Sequence, residues 1–243
     1  MTAVAVDRPA SAITLHRLPD RAALAGAVAA AFEQAVRSAV AARGSAVIVV
    51  TGGSTPRAYY PAIAALDLPW SRVTLTLSDE RWVGPDHAES NQRLVTEMLL
   101  TGPAAAARLV PLKNEAADPY AGCDASARAL RALPHPYDLV LLGLGGDSHI
   151  ASLFPGAVEF DHGISSDAPC FAVTPPAGVT PALPRLSLTL HELLSSRRIV
   201  LAASGADKLA AFEQALAGRW PLPSPIPHLA QRARQPVDFY WTP

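Results

Sequence analysis

The short apolar run Asp138–Leu144 stops abruptly at a cluster of glycines. Such a run is typical of a strand that is buried in a parallel sheet and delivers its carboxyl end into a loop. Asp147 and His149 come directly after the glycines. In open α/β sheets, ligands bind in the crevice beyond the carboxyl ends of the strands. The sequence therefore predicts a functional site at Asp147 and His149, although a polar loop with an ordinary surface histidine fits the same residues.

Strand and helix patterns alternate through the chain, which is typical of an α/β protein. The 243 residues, half of them hydrophobic, favour one domain spanning residues 1–243. No element is predicted before Asp20, and Val237–Trp241 is predicted to be an edge strand. The other predicted strands are Ala46–Thr51, Val73–Ser78, Arg108–Leu112, Asp138–Leu144, Cys170–Thr174, Arg185–Leu190 and Arg198–Ala203. The predicted helices run from Asp20 to Ala42, where Gly44 ends the helix, and over Arg57–Leu66, Gln92–Leu100, Tyr120–Leu133 and Ala206–Ala217.

Composition excludes several classes of partner. The formal net charge of −1 and the isoelectric point near 6.6 give no basic surface for nucleic acid or for an anionic membrane. No apolar run is long enough to span a bilayer, and Ala22–Phe32 is too rich in alanine and glycine for a signal peptide. Cys123 and Cys170 are far apart and lack Cys-x-x-Cys spacing, so neither a disulfide framework nor a zinc site is predicted. We expect a cytoplasmic protein.

The loop after the strand Ala46–Thr51 is a candidate phosphate site. Two glycines permit a sharp turn, and Thr55 followed by Pro56 is typical of a helix N-cap with proline at the first helical position. Backbone N–H groups and the positive end of a helix dipole would then face an oxyanion. The loop is not a Walker A motif, and an ordinary strand–helix turn fits it as well. The candidate ligands are Gly52, Gly53, Ser54 and Thr55.

Two further places carry charge where a ligand is expected. Asp79 and Arg81 come after the strand Val73–Ser78, although such a run is usually a surface salt-bridge cluster. Lys208 is predicted in the first turn of the helix Ala206–Ala217, where a cation opposes the helix dipole unless an anion is present. Simple exposure of Lys208 is the alternative.

Two other interpretations of the segment around His149 are disfavoured. Gly143-x-Gly145-Gly146 is a partial dinucleotide fingerprint, but Ser148 occupies the place of its last glycine, so NAD binding is not predicted. Ser148 and Ser152 flank His149, but neither lies in a Gly-x-Ser-x-Gly nucleophile elbow. Attack by a water molecule is therefore preferred to attack by a serine.

Taken together, these motifs resemble the 6-phosphogluconolactonase family. This family is part of a wider group that includes glucosamine-6-phosphate deaminase, ribose-5-phosphate isomerase and CoA transferases. The matching segments occur in the family order and together span about two thirds of the chain. They are TGGSTP at Thr51–Pro56, SDERWV at Ser78–Val83, SN at Ser90 and Asn91, GLGGDSHIASLFPG at Gly143–Gly156, RLSLT at Arg185–Thr189 and GADK at Gly205–Lys208.

The resemblance implies an α/β fold with a Rossmann-like, mostly parallel sheet and helices on both faces. It implies hydrolysis of 6-phosphoglucono-δ-lactone to 6-phosphogluconate in the oxidative pentose phosphate pathway, without a metal or a cofactor. The partner would be this small sugar-phosphate lactone, and we expect a monomer or a weak homodimer.

The resemblance also implies a role for each motif residue. His149 would be the general base and Arg81 would lie near the lactone. From the residues themselves, Asp147 or Asp79 is expected to orient the imidazole, and which of Asp147, Asp79 and Glu80 contacts His149 stays open. Arg81 and the backbone N–H groups of the Gly143–Gly146 turn are the candidates for stabilising the oxyanion. The phosphate and the rest of the substrate would be bound by Gly53, Ser54, Thr55, Arg185 and Lys208, with Gly52 and Asn91 beside them.

One residue departs from the family pattern, and two alternative functions stay open. The family has Asp-Gly-His where this chain has Ser148 in the middle; in a left-handed backbone this serine costs on the order of 1 kcal/mol. A deaminase or isomerase of the same fold would be expected to carry Asp-Glu-Tyr in place of Asp79-Glu80-Arg81. A sugar-phosphate sensor would usually have a DNA-binding module, and no helix-turn-helix pattern is visible.

Overall fold

The computed structural model describes residues 13–243. Its strands are β1 (Ile13–Arg17), β2 (Ala46–Val50), β3 (Val73–Leu77), β4 (Asp79–Arg81), β5 (Arg108–Val110), β6 (Leu139–Gly143), β7 (Cys170–Val173), β8 (Arg185–Leu188), β9 (Ile199–Ser204) and β10 (Val237–Thr242). Its α-helices are α1 (Arg21–Arg43), α2 (Pro56–Ala64), α3 (Asn91–Met98), α4 (Pro119–Arg131), α5 (Phe160–Ser165), α6 (Leu190–Leu194), α7 (Ala206–Leu216) and α8 (Pro225–Arg232). None of the helices in this part of the chain combines the length and the apolar character that a bilayer span demands.

Seven strands form one sheet in the order β1-β10-β9-β6-β2-β3-β5, and every pairing in it is parallel. We call it the parallel sheet. All five residues of β2 are buried, as are nearly all of β6 and β9, because central strands of a parallel sheet are covered on both faces. The prediction of an α/β fold with a mostly parallel sheet is confirmed.

Helix α1 illustrates how local sequence sets an element boundary. The Asp20 carboxylate accepts a hydrogen bond from Ala23 N at 2.8 Å and so caps the helix. Gly44 ends it in a left-handed conformation with φ of 80°, which glycine adopts without strain. The buried face of α1 packs against β2, β9 and β10.

Three further strands form a separate antiparallel sheet in the order β4-β8-β7. We call it the small sheet. Ser78 joins the two sheets, because its N–H donates to Val50 O in the parallel sheet and its carbonyl accepts from Leu188 N in the small one. Asp79 and Arg81, predicted as charges beyond a strand end, therefore lie on a strand of their own. In the register, Arg81 is opposite Arg185, and Arg185 is opposite Val173 on its other side.

The prediction that Val237–Trp241 is an edge strand was wrong. β10 lies between β9 and β1, and the edge is Ile13–Arg17. Residues 1–12 of the segment predicted to lack structure lie outside the described residues, but its last part forms β1. Only Ile13 of this five-residue strand is buried, so its hydrophobic pattern is weak. Helices α5, α6 and α8 also lie in stretches with no predicted helix; α8 begins at Pro225 after the cap Ser224.

Candidate active site

A cavity of about 210 Å³ lies where the loops after β2, β6 and β9 meet the small sheet. The loop after β2, the segment after β6 and the first turn of α7 thus meet at one edge of the parallel sheet. All the predicted site residues except Asp147 line the cavity. The lining residues are Thr51, Gly52, Gly53, Ser54, Thr55, Pro56, Asp79, Arg81, Asn91, Gly143, Leu144, Gly145, His149, Ala151, Val179, Thr180, Arg185 and Lys208.

The His149 imidazole is oriented by Asp147. Nδ1 of His149 lies 2.5 Å from Oδ1 of Asp147. An ionised carboxylate only accepts hydrogen bonds, so Nδ1 carries a proton, and Nε2 has a free lone pair whenever the ring is neutral. Burial raises the pKa of Asp147, but the hydrogen bond and the charge of His149 together outweigh it and lower the pKa below its ordinary value. Asp147 is therefore ionised at neutral pH.

Gly145 makes room for this pair. A Cβ at this position would lie 2.2 Å from Nδ1 of His149 and 2.4 Å from Oδ1 of Asp147. The Gly145 N–H also donates to the His149 carbonyl at 2.9 Å. This N–H group is engaged, so the expectation that the whole Gly143–Gly146 turn offers free donors to an oxyanion is wrong at Gly145.

Phe154 contacts both the imidazole and a cation. Its ring centroid lies 4.5 Å from that of His149, and the Arg185 guanidinium lies 4.9 Å from the Phe154 centroid. One aromatic ring of the segment after β6 thus sets the position of His149 relative to Arg185 on β8.

Arg185 is a buried cation with unused donors. It is 4% exposed, and its side chain contacts Pro181 O at 3.2 Å and the Asp79 carboxylate at 3.9 Å. Within residues 13–243, its Nε finds no hydrogen-bond acceptor. Burial lowers the pKa of Arg185 and Asp79 opposes this effect. Since guanidinium stays charged, the cavity wall presents an under-compensated positive charge that suits an anion.

Arg81, which lines the same cavity from β4, is held in place by Asn91. The Asn91 Oδ1 accepts from Arg81 Nη1 at 2.7 Å, and the Asn91 Nδ2 donates to Asp79 O at 2.8 Å. A Cβ on Gly52 would lie 1.8 Å from this Oδ1 and would displace the Asn91 amide. Glycine is therefore needed at position 52 for this contact as well as for the turn. The Nε of Arg81 lacks an acceptor in the described chain. Asn91, predicted to bind substrate, thus uses both amide atoms to hold the Arg81 side chain and the Asp79 carbonyl of β4.

The glycine loop and Lys208 form the remaining wall. Gly53 has φ of 95°, a backbone conformation that favours glycine. The predicted side-chain cap at Thr55 was wrong, because this residue already has helical dihedrals and its hydroxyl makes no cap hydrogen bond. Thr55 and the exposed Ser54, which both carry hydroxyls, line the cavity. Lys208, half-buried in the first turn of α7, lines it from the other side.

Asp79 and Glu80 have roles other than orienting His149. The Asp79 carboxylate is buried and accepts from Ser78 Oγ at 2.9 Å and Ser152 Oγ at 2.7 Å. Glu80 accepts from the backbone N–H groups of Asn91 and Gln92, both at 2.7 Å. It thus provides acceptors for two N–H groups in the first turn of α3 that have no partner within the helix. Burial raises the pKa of Glu80, and these hydrogen bonds oppose the rise. Of the three carboxylates considered from sequence, Asp147 is the one bonded to His149.

Sequence reasoning did not name six residues of the cavity wall: Thr51, Pro56, Leu144, Ala151, Val179 and Thr180. The first four lie inside the recognised motifs, but Val179 and Thr180 lie in an uncharged loop without a motif. Conversely, Ser148 and Ser152 are fully buried, and in the described chain neither lines the cavity. No serine hydroxyl next to His149 in sequence thus faces the site.

The chain is similar to known proteins over nearly its whole length. The family model for glucosamine-6-phosphate isomerases/6-phosphogluconolactonase matches residues 19–241. A 6-phosphogluconolactonase from Pseudomonas putida is 38% identical, covering 96% of this chain and 94% of the relative. One from Rhizobium meliloti is 37% identical, covering 94% and 98%.

The solved structures agree in fold. A 6-phosphogluconolactonase from Shewanella baltica has a TM-score of 0.88 at 36% identity, covering 95% of this chain and 98% of that one. A monomeric glucosamine-6-phosphate deaminase, at 20% identity and a TM-score of 0.78, shares the fold. From the family match and the full-length relatives, the chain belongs to the glucosamine-6-phosphate isomerase/6-phosphogluconolactonase family.

Proposed function

We propose that this protein hydrolyses 6-phosphoglucono-δ-lactone to 6-phosphogluconate, with His149 as the base that activates water. The observation that carries the proposal is the sharing of one cavity by an oriented imidazole and a cluster of cations. His149 lines the cavity with Arg81, Arg185 and Lys208. The cations match the charge of a phosphate, and the similarity to 6-phosphogluconolactonases over nearly the whole chain selects the lactone.

The first chemical step is attack on the lactone carbonyl. Nε2 of His149 takes a proton from a water molecule as the water oxygen bonds to the carbonyl carbon. Asp147 keeps the proton of Nδ1 in place and stabilises the imidazolium that forms. The carbonyl becomes an oxyanion, for which the Arg81 guanidinium in the cavity wall is the candidate donor. In the second step the ring C–O bond breaks, and the imidazolium returns the proton to the departing oxygen.

The phosphate is held away from the reacting carbon. Arg185 and Lys208 supply positive charge, and the Gly52–Thr55 loop supplies backbone and hydroxyl donors. This remote binding energy orients the lactone against His149 and so contributes to the rate. A lactone without the phosphate should therefore be a poor substrate.

The decisive experiment measures decay of freshly prepared 6-phosphoglucono-δ-lactone against its spontaneous hydrolysis. The wild-type protein should accelerate the decay, and His149→Gln should lower kcat by about 100- to 10,000-fold, because general base catalysis contributes that much. His191→Gln, a half-exposed histidine on α6, is the matched control and should retain wild-type kcat. Unchanged decay with the wild-type protein, or full activity of the His149 variant, would contradict the proposal.

Two further measurements separate the alternative functions. A stoichiometric burst of acyl-enzyme in a rapid-quench experiment would replace water attack with a covalent mechanism. Turnover of glucosamine 6-phosphate exceeding that of the lactone would indicate the deaminase activity of the same family.

A further inference from the structure

The two cysteines of the chain, distant in sequence, are neighbours in the fold. Cys123 lies on α4 and Cys170 is the first residue of β7 in the small sheet. Their Sγ atoms are 3.8 Å apart, and both thiols are free. Each Sγ also contacts the backbone carbonyl of the other residue, at 3.4 and 3.6 Å. The two thiols thus face each other across the interface of α4 with β7.

We infer that Cys123 and Cys170 are an oxidative modification site, at which a hydroperoxide converts the thiol pair into an intramolecular disulfide that joins α4 to the small sheet. A disulfide has an S–S length of about 2.0 Å, so rotation of the two side chains and a small shift of α4 must close the gap. This site is independent of the proposed lactonase chemistry, because neither cysteine lines the cavity in the described chain.

The two thiols differ in exposure and in pKa, and this difference determines which of them reacts first with the hydroperoxide. Cys123 is only half-buried, whereas Cys170 is buried. The hydrogen bond from Cys170 lowers the pKa of Cys123 to about 7, and the same contact with burial raises that of Cys170. Cys123 is therefore the thiolate that meets the oxidant first, and Cys170 is the resolving thiol.

The reaction balances with one hydroperoxide per pair. The Cys123 thiolate attacks a peroxide oxygen, an S–O bond forms and the O–O bond breaks, and the leaving hydroxide or alkoxide takes a proton to become water or an alcohol. The Cys170 sulfur then attacks the Cys123 sulfur and releases its proton, the S–S bond forms, and the S–O bond breaks with loss of a second water. Both sulfurs are oxidised and both peroxide oxygens are reduced.

The disulfide would link α4 to the small sheet at a place outside the cavity. Gly122, next to Cys123, packs so closely on Trp82 that a Cβ there would lie 2.2 Å from the indole, and Trp82 is the residue after Arg81. Tyr120 of the same helix hydrogen-bonds Thr174 at the other end of β7. A covalent link at Cys123 thus reinforces a helix–sheet contact that already exists, so we expect stabilisation.

The test treats the full chain with hydrogen peroxide and counts thiols after denaturation. Because the sequence holds only two cysteines, the count should fall from two to zero, with a mass loss of about 2 Da and a linked peptide pair that a thiol reductant separates. Retention of two thiols, addition of oxygen at Cys123 with Cys170 still free, or disulfide-linked dimers would overturn the inference.

A thermal measurement and a variant complete the test. The oxidised protein should unfold at least about 5 °C above the reduced protein, because the crosslink closes a long loop. Cys123→Ser, a change at the half-buried position, should abolish both the mass loss and the rise in Tm. Cys170→Ala is the corresponding variant at the buried position. Should the buried variant fail to fold, Cys123→Ser alone decides the result. An oxidised protein with an unchanged or lower Tm would contradict the proposal that the disulfide stabilises the contact of α4 with the small sheet.

Discussion

The two sheets contribute to the site in different ways. The parallel sheet supplies it through segments beyond its strand ends: the glycine loop after β2, the His149 segment after β6 and Lys208 in the first turn of α7. The small sheet supplies Arg81 and Arg185 on the strands themselves. Groups beyond strand ends are set by backbone turns, whereas groups on paired strands are set by register. The base thus comes from one region and the two guanidinium groups from the other.

The difference matters for how strongly each region holds an anion. Arg185 is enclosed, packs on Phe154 and has few protein acceptors. Lys208 is half-buried, and its flexible side chain carries a compact, more strongly hydrated charge. A charge contact in a desolvated place is worth more than one near water. The small sheet should therefore contribute more to phosphate binding than the parallel sheet does.

Replacing the two cations one at a time tests this comparison. Arg185→Met should raise KM for the phosphorylated lactone by about 100-fold, and Lys208→Met by about 10-fold, with smaller effects on kcat. The measurement is steady-state lactone hydrolysis corrected for the spontaneous rate. Glucono-δ-lactone without phosphate is the control substrate, and its kcat/KM should change less than about threefold in either variant. Equal KM effects would show that the burial of Arg185 confers no advantage.

Gly145→Ala tests the part of the site that the parallel sheet supplies. The new Cβ would overlap the His149–Asp147 pair, so the imidazole must move. Because a misplacement of about 1 Å can cost 100-fold, kcat should fall by up to about 100-fold with little change in KM. Gly26→Ala on α1, where a Cβ meets nothing within 4 Å, is the control. A variant with wild-type kcat would mean that the His149–Asp147 geometry does not limit the rate.

The hydrogen bond from Ser152 to Asp79 joins the two regions, because Ser152 lies after β6 and Asp79 on β4. Ser152→Ala leaves a buried carboxylate with one donor fewer and should lower the free energy of unfolding by about 2 kcal/mol. Chemical denaturation monitored by fluorescence measures it. Ser165→Ala, at an exposed serine bonded to Asp161 O, should cost less than about 0.5 kcal/mol. A loss as small as this for Ser152 would mean that water or another group satisfies Asp79.

The contribution of the parallel sheet could be predicted from sequence because each part of it is local. An apolar run, a glycine turn and a polar residue at the strand end occur in order at Ala46–Thr55 and at Asp138–His149, and parallel strands bring such ends together. The same reasoning placed Lys208 in the first turn of a helix. It did not settle which carboxylate orients the imidazole, because that depends on the rotamer and on space beside Gly145.

The small sheet was missed because its evidence is not local. Asp79–Arg81 is three residues long and charged, which is typical of a loop, and it is a strand only because β8 pairs with it. Its charges are buried by tertiary contacts. Glu80 accepts hydrogen bonds from the first N–H groups of α3, and Asp79 accepts one from Ser152, far along the chain. The proximity of Cys123 to Cys170 has the same origin. Pairing between distant segments leaves no periodic signal in a single sequence.

Ser148 is the place where the turn after β6 departs from the glycine expected of the family, and the structure gives it φ of 70°. Its buried Oγ has no hydrogen-bond partner within residues 13–243, so both its backbone and its hydroxyl are unfavourable. Ser148→Gly removes both costs but increases the entropy of the unfolded chain, and the net gain in unfolding free energy, measured by chemical denaturation, should be about 1 kcal/mol. Ala151→Gly, with φ of 49° and no hydroxyl, relieves the backbone alone and should gain less. Equal gains would assign the whole effect to the backbone, and a loss at Ser148 would show that its hydroxyl has a partner.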